Sequence, residues 1–568
     1  MIETALWQLL LIAPVWPLLL ALAAAFPATR RLAVSLLPWA ALPGLITALM
    51  PGAELQLDGV MLGSALVLDA TGRVFLLLIS VLWLVTGLIA RPRLQSADSS
   101  ALPILLLLAM AGCLGMALAG DALLFFAAAT VAGYALYGVL MQGADAPTRQ
   151  AGTVLAVLLV ISDLLVFEVL LLLGHIAAGF DFGAMREAFL GAGNRGLLLG
   201  LLIAGFGIKL GLVGLHFWLA PVFVTTGVAF RAALIAYMFG AGLLGGLRLL
   251  PVGDWTAPGA ATSLWWLSWL TLAYACLVGA LQAHCRSTLA YAALALGGLW
   301  LGLLSALLGQ PQLWLEATNA LAAVVLQSGF ALAALLLLAS TGAATDAFWP
   351  AALRWLAALL LAAAPAGIAA LITDPVVAAP IYAAMAVIAF LAASSVLRNT
   401  RVVKVPGSMN TLSSAGLAQR DLQPPTSMTM AMVLSLAAAL ALGYQLPGWS
   451  LAQAAFAGLM VLLPMLLAIA SVKSGITGLP SLPPGDVLYF IRPGPARRGV
   501  AWARRSGQTL LDGSLAQWPD NARALARRLW MGASRMPLGQ WESALNRWPT
   551  ALILLLLLGL LLAWMGRL

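Results

Sequence analysis

The chain has 568 residues, of which 63% are hydrophobic and 9% charged, with a net charge of +9. Apolar runs of about 18 residues or more recur from end to end, which excludes a soluble globular protein and a disordered one. A transmembrane β-barrel is excluded as well, because it would show alternating strands of about ten residues rather than solid runs.

Cutting at polar and Pro/Gly-rich breaks predicts about sixteen helices. They cover residues 4–26, 31–50, 70–90, 101–119, 121–142, 151–174, 196–219, 227–250, 262–282, 287–308, 313–340, 350–372, 376–397, 427–447, 450–471 and 549–567. Each is long enough for a hydrocarbon core of about 30 Å at about 1.5 Å per residue. Thr4–Phe26 does not read as a removable signal peptide, since it is too long, lacks a basic start and has no clear cleavage site. Ala53–Leu68 alternates and turns at Asp58-Gly59, which predicts a small hairpin on one membrane face.

Charge sets the expected orientation. Loops after odd-numbered helices carry Arg30, Arg31, Arg91, Arg93, Arg149, Arg286, Arg354, Arg398, Arg401, Lys404 and Arg420, whereas even-numbered loops carry only Arg186, Arg195 and Arg248. Under the positive-inside rule the odd loops are cytoplasmic and the N-terminus faces outward. The chain thus divides into a transmembrane core over 1–472, a cytoplasmic-side lateral amphipathic segment over 473–548 and an anchoring helix over 549–568. The lateral segment opens with GLPSLPPGD (Gly478–Asp486) and interleaves arginines such as Arg504 and Arg528 with Trp502, Trp518 and Trp530, a pattern suited to the headgroup interface. Basicity of this kind signals membrane topology, and no nucleic-acid motif accompanies it.

Cys113, Cys276 and Cys285 have no paired spacing, and His284-Cys285 is adjacent rather than ligand-spaced. There is no Walker motif, CxxC pair, Ser-His-Asp arrangement or GxGxxG in a strand–helix setting. No cofactor or metal site and no catalytic site of the chain's own are expected, and any redox chemistry belongs to partner subunits.

The most informative residue is Lys209. In Leu198–Leu219 every other side chain but His216 is apolar or glycine. A buried ammonium costs about 3 kcal/mol on insertion scales and usually faces protein or water. If 196–219 is one continuous helix, His216 falls within about 20° of Lys209 on the wheel and about 10 Å further along. Two proton-exchanging groups on one stripe suggest part of a proton or ion path.

The chain resembles the antiporter-like membrane subunits of respiratory complex I, Mrp-type cation/proton antiporters and group-4 membrane-bound hydrogenases, of the large, complex I subunit 5-like type. FGIKLGLVGLHFWLAP (Phe206–Pro221) is similar to the family's lysine-bearing helix and its PLHxWLP run. AGLLGGLRLLP (Ala241–Pro251) and GALQAHCRSTLAYAA (Gly279–Ala293) echo further family stretches. The resemblance covers residues 65–480 and implies an all-α polytopic protein. Its fold would have about 14 core helices with inverted repeats, a lateral amphipathic segment and a last helix. It implies a place in a hetero-oligomeric complex of the cell inner membrane that moves protons or monovalent cations. A non-conducting scaffold paralogue, or a membrane partner in an inorganic-carbon uptake system, stays open beside that reading.

Several family charges are missing. The fifth-helix glutamate falls in FFAAATVAGY (Phe125–Tyr134), the eighth-helix lysine or histidine at Gly240 in YMFGAG, and the eleventh-helix lysine within NALAAVVLQ (Asn319–Gln327). Asp163 matches the sixth-helix aspartate and is the expected counter-charge of Lys209, since an opposite charge within about 4–6 Å keeps both ionised. Glu168 lies about 140° around the helix, so the two acids cannot share one narrow face. Arg231 fits either a cap on a cytoplasmic half-channel or an interfacial anchor. Asp374-Pro375 fits either a broken helix, as transporters use at ion sites, or a helix end. Lys209, Asp163, His216, Glu168, Arg231 and Asp374 form the candidate ion path.

Overall fold

A computed structural model describes residues 2–57, 63–95, 101–142, 144–282, 284–339, 348–399, 424–443 and 451–473. The Asp58-Gly59 turn, the loop cations Arg401, Lys404 and Arg420, the lateral segment and the final helix lie outside the described residues. Among the described residues eleven helices are long and apolar enough to cross a membrane, or twelve if one pair bent by 61° is a single span. The chain is thus an all-α, multi-pass membrane protein.

The bent pair shows how local sequence shapes a span. Helix α1 (Ile2–Ala25) is followed by α2 (Pro27–Leu36), a 3-10 turn (Pro38–Ala41) and α3 (Leu42–Ala48). Pro38 removes a backbone donor and restricts the residue before it, so the helix turns there instead of running straight from 31 to 50. Strands β1 (Glu54–Leu57) and β2 (Ser64–Val67) pair antiparallel with Glu54 opposite Val67, forming the hairpin read from the alternation.

Helices α4 (Ala70–Gln95), α5 (Ala101–Leu118), α6 (Ala122–Met141) and α7 (Ala146–Ala177) follow. Asp121 and Asp145 start α6 and α7, accepting from Leu124 N at 2.8 Å and Thr148 N at 3.0 Å, as N-cap carboxylates do. Asp181 caps α8 (Phe182–Gly191) in the same way, a short helix that the span-by-span cut passed over.

Helix α9 (Arg195–Leu210) corrects the reading of 196–219 as one span. Gly211 adopts φ +79°, and Leu212 N and Gly211 N donate back to Gly207 O and Ile208 O at 2.8 and 3.3 Å, closing a Schellman motif. Apolar composition continues through the break, so hydropathy could not reveal it. The chain resumes as α10 (Leu219–Thr225) and α11 (Val228–Tyr237), then a π-helical turn (Met238–Leu244) and α12 (Gly245–Leu249).

The remaining described helices are α13 (Pro258–Ala280), α14 (Cys285–Gly309), α15 (Leu313–Leu338), α16 (Phe348–Ala363), α17 (Ala366–Leu371), α18 (Pro375–Asn399), α19 (Pro424–Gly443) and α20 (Leu451–Lys473). Pro365, between α16 and α17, marks a second break. Arg248, counted above as a loop cation, is buried instead. It ion-pairs with Asp69 at 3.0 Å and donates to Ala117 O and Ala119 O, fastening α12 to the ends of α4 and α5.

Close helix approach depends on small residues. A Cβ on Gly112 would lie 2.6 Å from Ala128 O and 2.8 Å from Ala132 N, both backbone atoms of α6. Gly246 has nothing within 4 Å of the same position. Gly112→Ala should therefore cost about 1–3 kcal/mol through overpacking, while Gly246→Ala should be neutral or stabilise by about 0.5 kcal/mol. Thermal unfolding of the purified protein in detergent checks the contrast, and equal melting temperatures would contradict it.

Candidate functional site

Lys209 occupies the last turn of α9 and is 3% exposed. Its Nζ donates to Asp163 Oδ1 at 2.5 Å and to Ser162 Oγ at 2.7 Å. Ser162 and Asp163 sit side by side on α7, and the Ser162 hydroxyl in turn donates to Gly205 O of α9 at 2.7 Å. Thr130 of α6 reaches the other carboxylate oxygen at 3.5 Å. The Tyr134 hydroxyl faces the same carboxylate, and Tyr237 of α11 lies within its field with its hydroxyl against Gly133.

Three physical effects keep this cation in the bilayer. The carboxylate in contact favours the charged form. The broken end of α9 presents carbonyls, and the negative end of a helix dipole attracts a cation. Hydroxyls fill the remaining positions, so the pair is not left half-solvated. Trp218 Nε1 donates to Ile208 O at 2.9 Å, holding the strand beyond the break against the helix end.

The other candidate residues go elsewhere. His216 lies past the break, so it shares no helical stripe with Lys209. It is 4% exposed, and its ring centroid lies 5.0 Å from that of Tyr274 on α13 and 6.1 Å from that of Tyr291 on α14. Glu168 is exposed on the outside of α7. Arg231 is fully buried and its Nη1 donates to Phe223 O and Thr226 O at 3.0 and 2.8 Å, closing the C-terminal end of α10 rather than anchoring at an interface. Asp374 accepts from Val376 N at 2.8 Å and starts α18 between two spans, so it marks a helix end.

The second break lacks an equivalent of Lys209. The turn before it reads Leu360, Leu361, Ala362 and Ala363, with no ionisable group. Beside it the buried amide of Gln327 donates to Leu360 O at 2.8 Å. Among the described residues no group of three or more His, Cys, Asp or Glu could hold a metal ion. Ser162, Thr130, Tyr134 and Tyr237 were not singled out from sequence. Only their placement pointed toward them: Ser162 adjoins Asp163, Thr130 and Tyr134 lie within Phe125–Tyr134, and Tyr237 stands three residues before Gly240.

Residues 119–308 match the family model described as NADH:quinone oxidoreductase/Mrp antiporter, transmembrane. No curated protein matches the sequence. The fold is similar to a chain of the Mrp complex from Dietzia sp. DQ12-45-1b, with TM-score 0.64 and 15% identity over 93% of this chain. This chain spans only 62% of that one's length. It is similar to a chain of the archaeal membrane-bound sulfane sulfur reductase, with TM-score 0.60 and 17% identity over 96% of this chain and 99% of the other. A chain of respiratory complex I from Thermus thermophilus aligns with TM-score 0.50 and 19% identity, over 82% and 98% of the two chains. The resemblance read from Phe206–Pro221 and Gly279–Ala293 is thereby supported on two counts. Residues 119–308 match the family model, and nearly the whole chain shares the fold of these chains of membrane complexes.

Breaking the pair should cost more than deleting it. Lys209→Met or Asp163→Leu alone leaves an uncompensated buried charge and should destabilise by about 3–5 kcal/mol. The double substitution should recover most of that loss. A double-mutant cycle by SDS-titrated unfolding in bicelles measures the coupling, and strictly additive losses would show that the two residues do not act as a pair.

Proposed function

We propose that this chain is a membrane subunit of a multi-subunit ion-translocating complex, and that Lys209 with Asp163 is its proton-exchanging element. The observation that carries the reading is the 2.5 Å ion pair sealed among hydroxyls at the broken end of α9. An intramembrane ionisable residue is by default a functional one, and helix breaks expose backbone where transporters place their ions. In this reading Asp163 is the counter-charge of the lysine, Ser162 and Thr130 hold the geometry, Tyr134 faces the same carboxylate from α6, and Tyr237 stands nearby on α11.

Conduction across about 30 Å requires several exchangeable groups, because one side chain reaches only a few ångströms. The cluster supplies one stage. With leucine and alanine before the second break and a neutral amide at Gln327, the chain contributes a shortened route, and a fuller path belongs to a partner subunit. The same absence favours the second reading, a scaffold paralogue that no longer conducts. In this reading the assembly lies in the cell inner membrane with the N-terminus outside and the basic loops and lateral segment cytoplasmic, an orientation that the charge asymmetry of the sequence supports. Redox chemistry, where the complex has any, lies in other subunits.

Lys209→Arg separates the two readings. Arginine keeps the charge but does not deprotonate, with a pKa above about 12. Proton flux should fall at least about tenfold in both Lys209→Ala and Lys209→Arg, with the complex intact. The measurement is ion flux in vesicles reconstituted with the complex purified through this chain. Native flux in Lys209→Arg would leave the pair with a structural role and the chain as scaffold.

A further inference from the structure

Helix α7 has two acids that point in opposite directions, and only the inner one has a partner. The outer face of α7 forms a continuous ridge, with Val157, Ile161, Leu164, Leu171, Leu172 and Ile176 each between 37% and 57% exposed. These positions recur at three- and four-residue steps, so they stand above one another along one side of the helix. Glu168 stands within this ridge, between Leu164 and Leu172, and is itself exposed. It lies nine residues before Ala177, about 14 Å along the axis from the C-terminal end of this 32-residue helix.

Such a placement is unusual for a carboxylate. Acids within membrane spans face the bundle interior or a cation, because contact with acyl chains is costly. The interior option on this helix is taken by Asp163. Glu168 makes no ion pair or hydrogen bond among the described residues. Its sides are flanked by α6, α8, α9 and α10, which pack against the rest of α7 and leave this ridge uncovered.

We infer that the outer ridge of α7 is the docking face for a membrane-spanning helix of another subunit, one that carries a lysine or arginine at the depth of Glu168. The apolar ridge supplies the surface and the carboxylate supplies the register, since only one vertical alignment brings the two charges together. A helix is the element required, because backbone at that depth must satisfy its own hydrogen bonds. This chain's own last apolar run does not fit, because Thr550–Met565 carries no basic residue. The inference rests on the reading of the chain as one subunit among several, and it specifies where the neighbour sits and what it presents.

The test places a photo-crosslinking amino acid at Leu164 or Leu172 of the tagged full chain in its native membranes, with crosslinked peptides identified by mass spectrometry. The expected product is a membrane-spanning peptide of another subunit with a lysine or arginine within about one turn of the crosslinked atom. Glu168→Gln should lower its yield by about tenfold, and Glu168→Lys combined with a glutamate at the partner's basic position should restore it. Products limited to lipid, to residues 549–567 of the same chain, to a second copy of this chain, or to a helix without a basic residue would overturn the inference. So would undiminished crosslinking in Glu168→Gln. Subunits that still co-purify in those cases would preserve the multi-subunit reading while removing this docking face.

Discussion

A charge in hydrocarbon cannot stand alone, and that constraint organises this molecule more than any single fold rule. The ammonium of Lys209 persists at 3% exposure because four different supports converge on it. These are a carboxylate from α7, a neighbouring hydroxyl, the negative end of α9 and the indole of Trp218 pinning the chain beyond the break. Removing the break would remove the helix end, and with it part of the field that stabilises the cation. The irregular backbone at Gly211 is therefore part of the electrostatics as well as of the chain path.

The same constraint explains how the other buried cations are treated. Arg231 and Arg248 each place donors on carbonyls at helix ends, Phe223 and Thr226 for the first, Ala117 and Ala119 for the second, and Arg248 adds the carboxylate of Asp69. Arg398 does likewise with Gly279, Ala280 and Gln282 at the end of α13. A guanidinium offers several fixed donors and holds its proton, which suits permanent capping. Lysine exchanges its proton more readily when buried. Arginine serves the carbonyl caps at helix ends and lysine stands in the ion pair with Asp163, which is why that pair rather than the arginines is the candidate for transport.

The class of the fold was legible from composition, because long apolar runs have few physical alternatives. The hairpin was legible from alternation, and the opposing faces of Asp163 and Glu168 from helical geometry alone. The break after Leu210 was not, since glycine within an apolar run looks like packing until its φ angle is known. The shared stripe of His216 and Lys209 failed for the same reason: it depended on a straight helix that ends at Leu210. Tyr134 and Tyr237 escaped notice because a tyrosine in an apolar helix has the pattern of an ordinary core residue. Only the fold brings α6 and α11 against the same carboxylate. The eleventh-helix change was visible as a missing charge, but that Gln327 spends its amide on Leu360 beside the second break was not.

Two acids on one helix connect the interior of this protein to its outside. Asp163 and Glu168 are five residues apart, about 7.5 Å along the axis and about 140° around it. The ion pair inside is at contact distance, where Coulomb energy changes most steeply with separation, and it lies in a medium that screens little. A neighbour engaged through Glu168 grips the same rod that carries Asp163, so a rotation or slide of α7 at the outer contact alters the distance to Lys209 within. That geometry links the outer face of α7 to the Lys209–Asp163 distance without any continuous chain of charges between them. The Lys209–Asp163 pair and the exposed carboxylate of Glu168 are thus carried by a single helix.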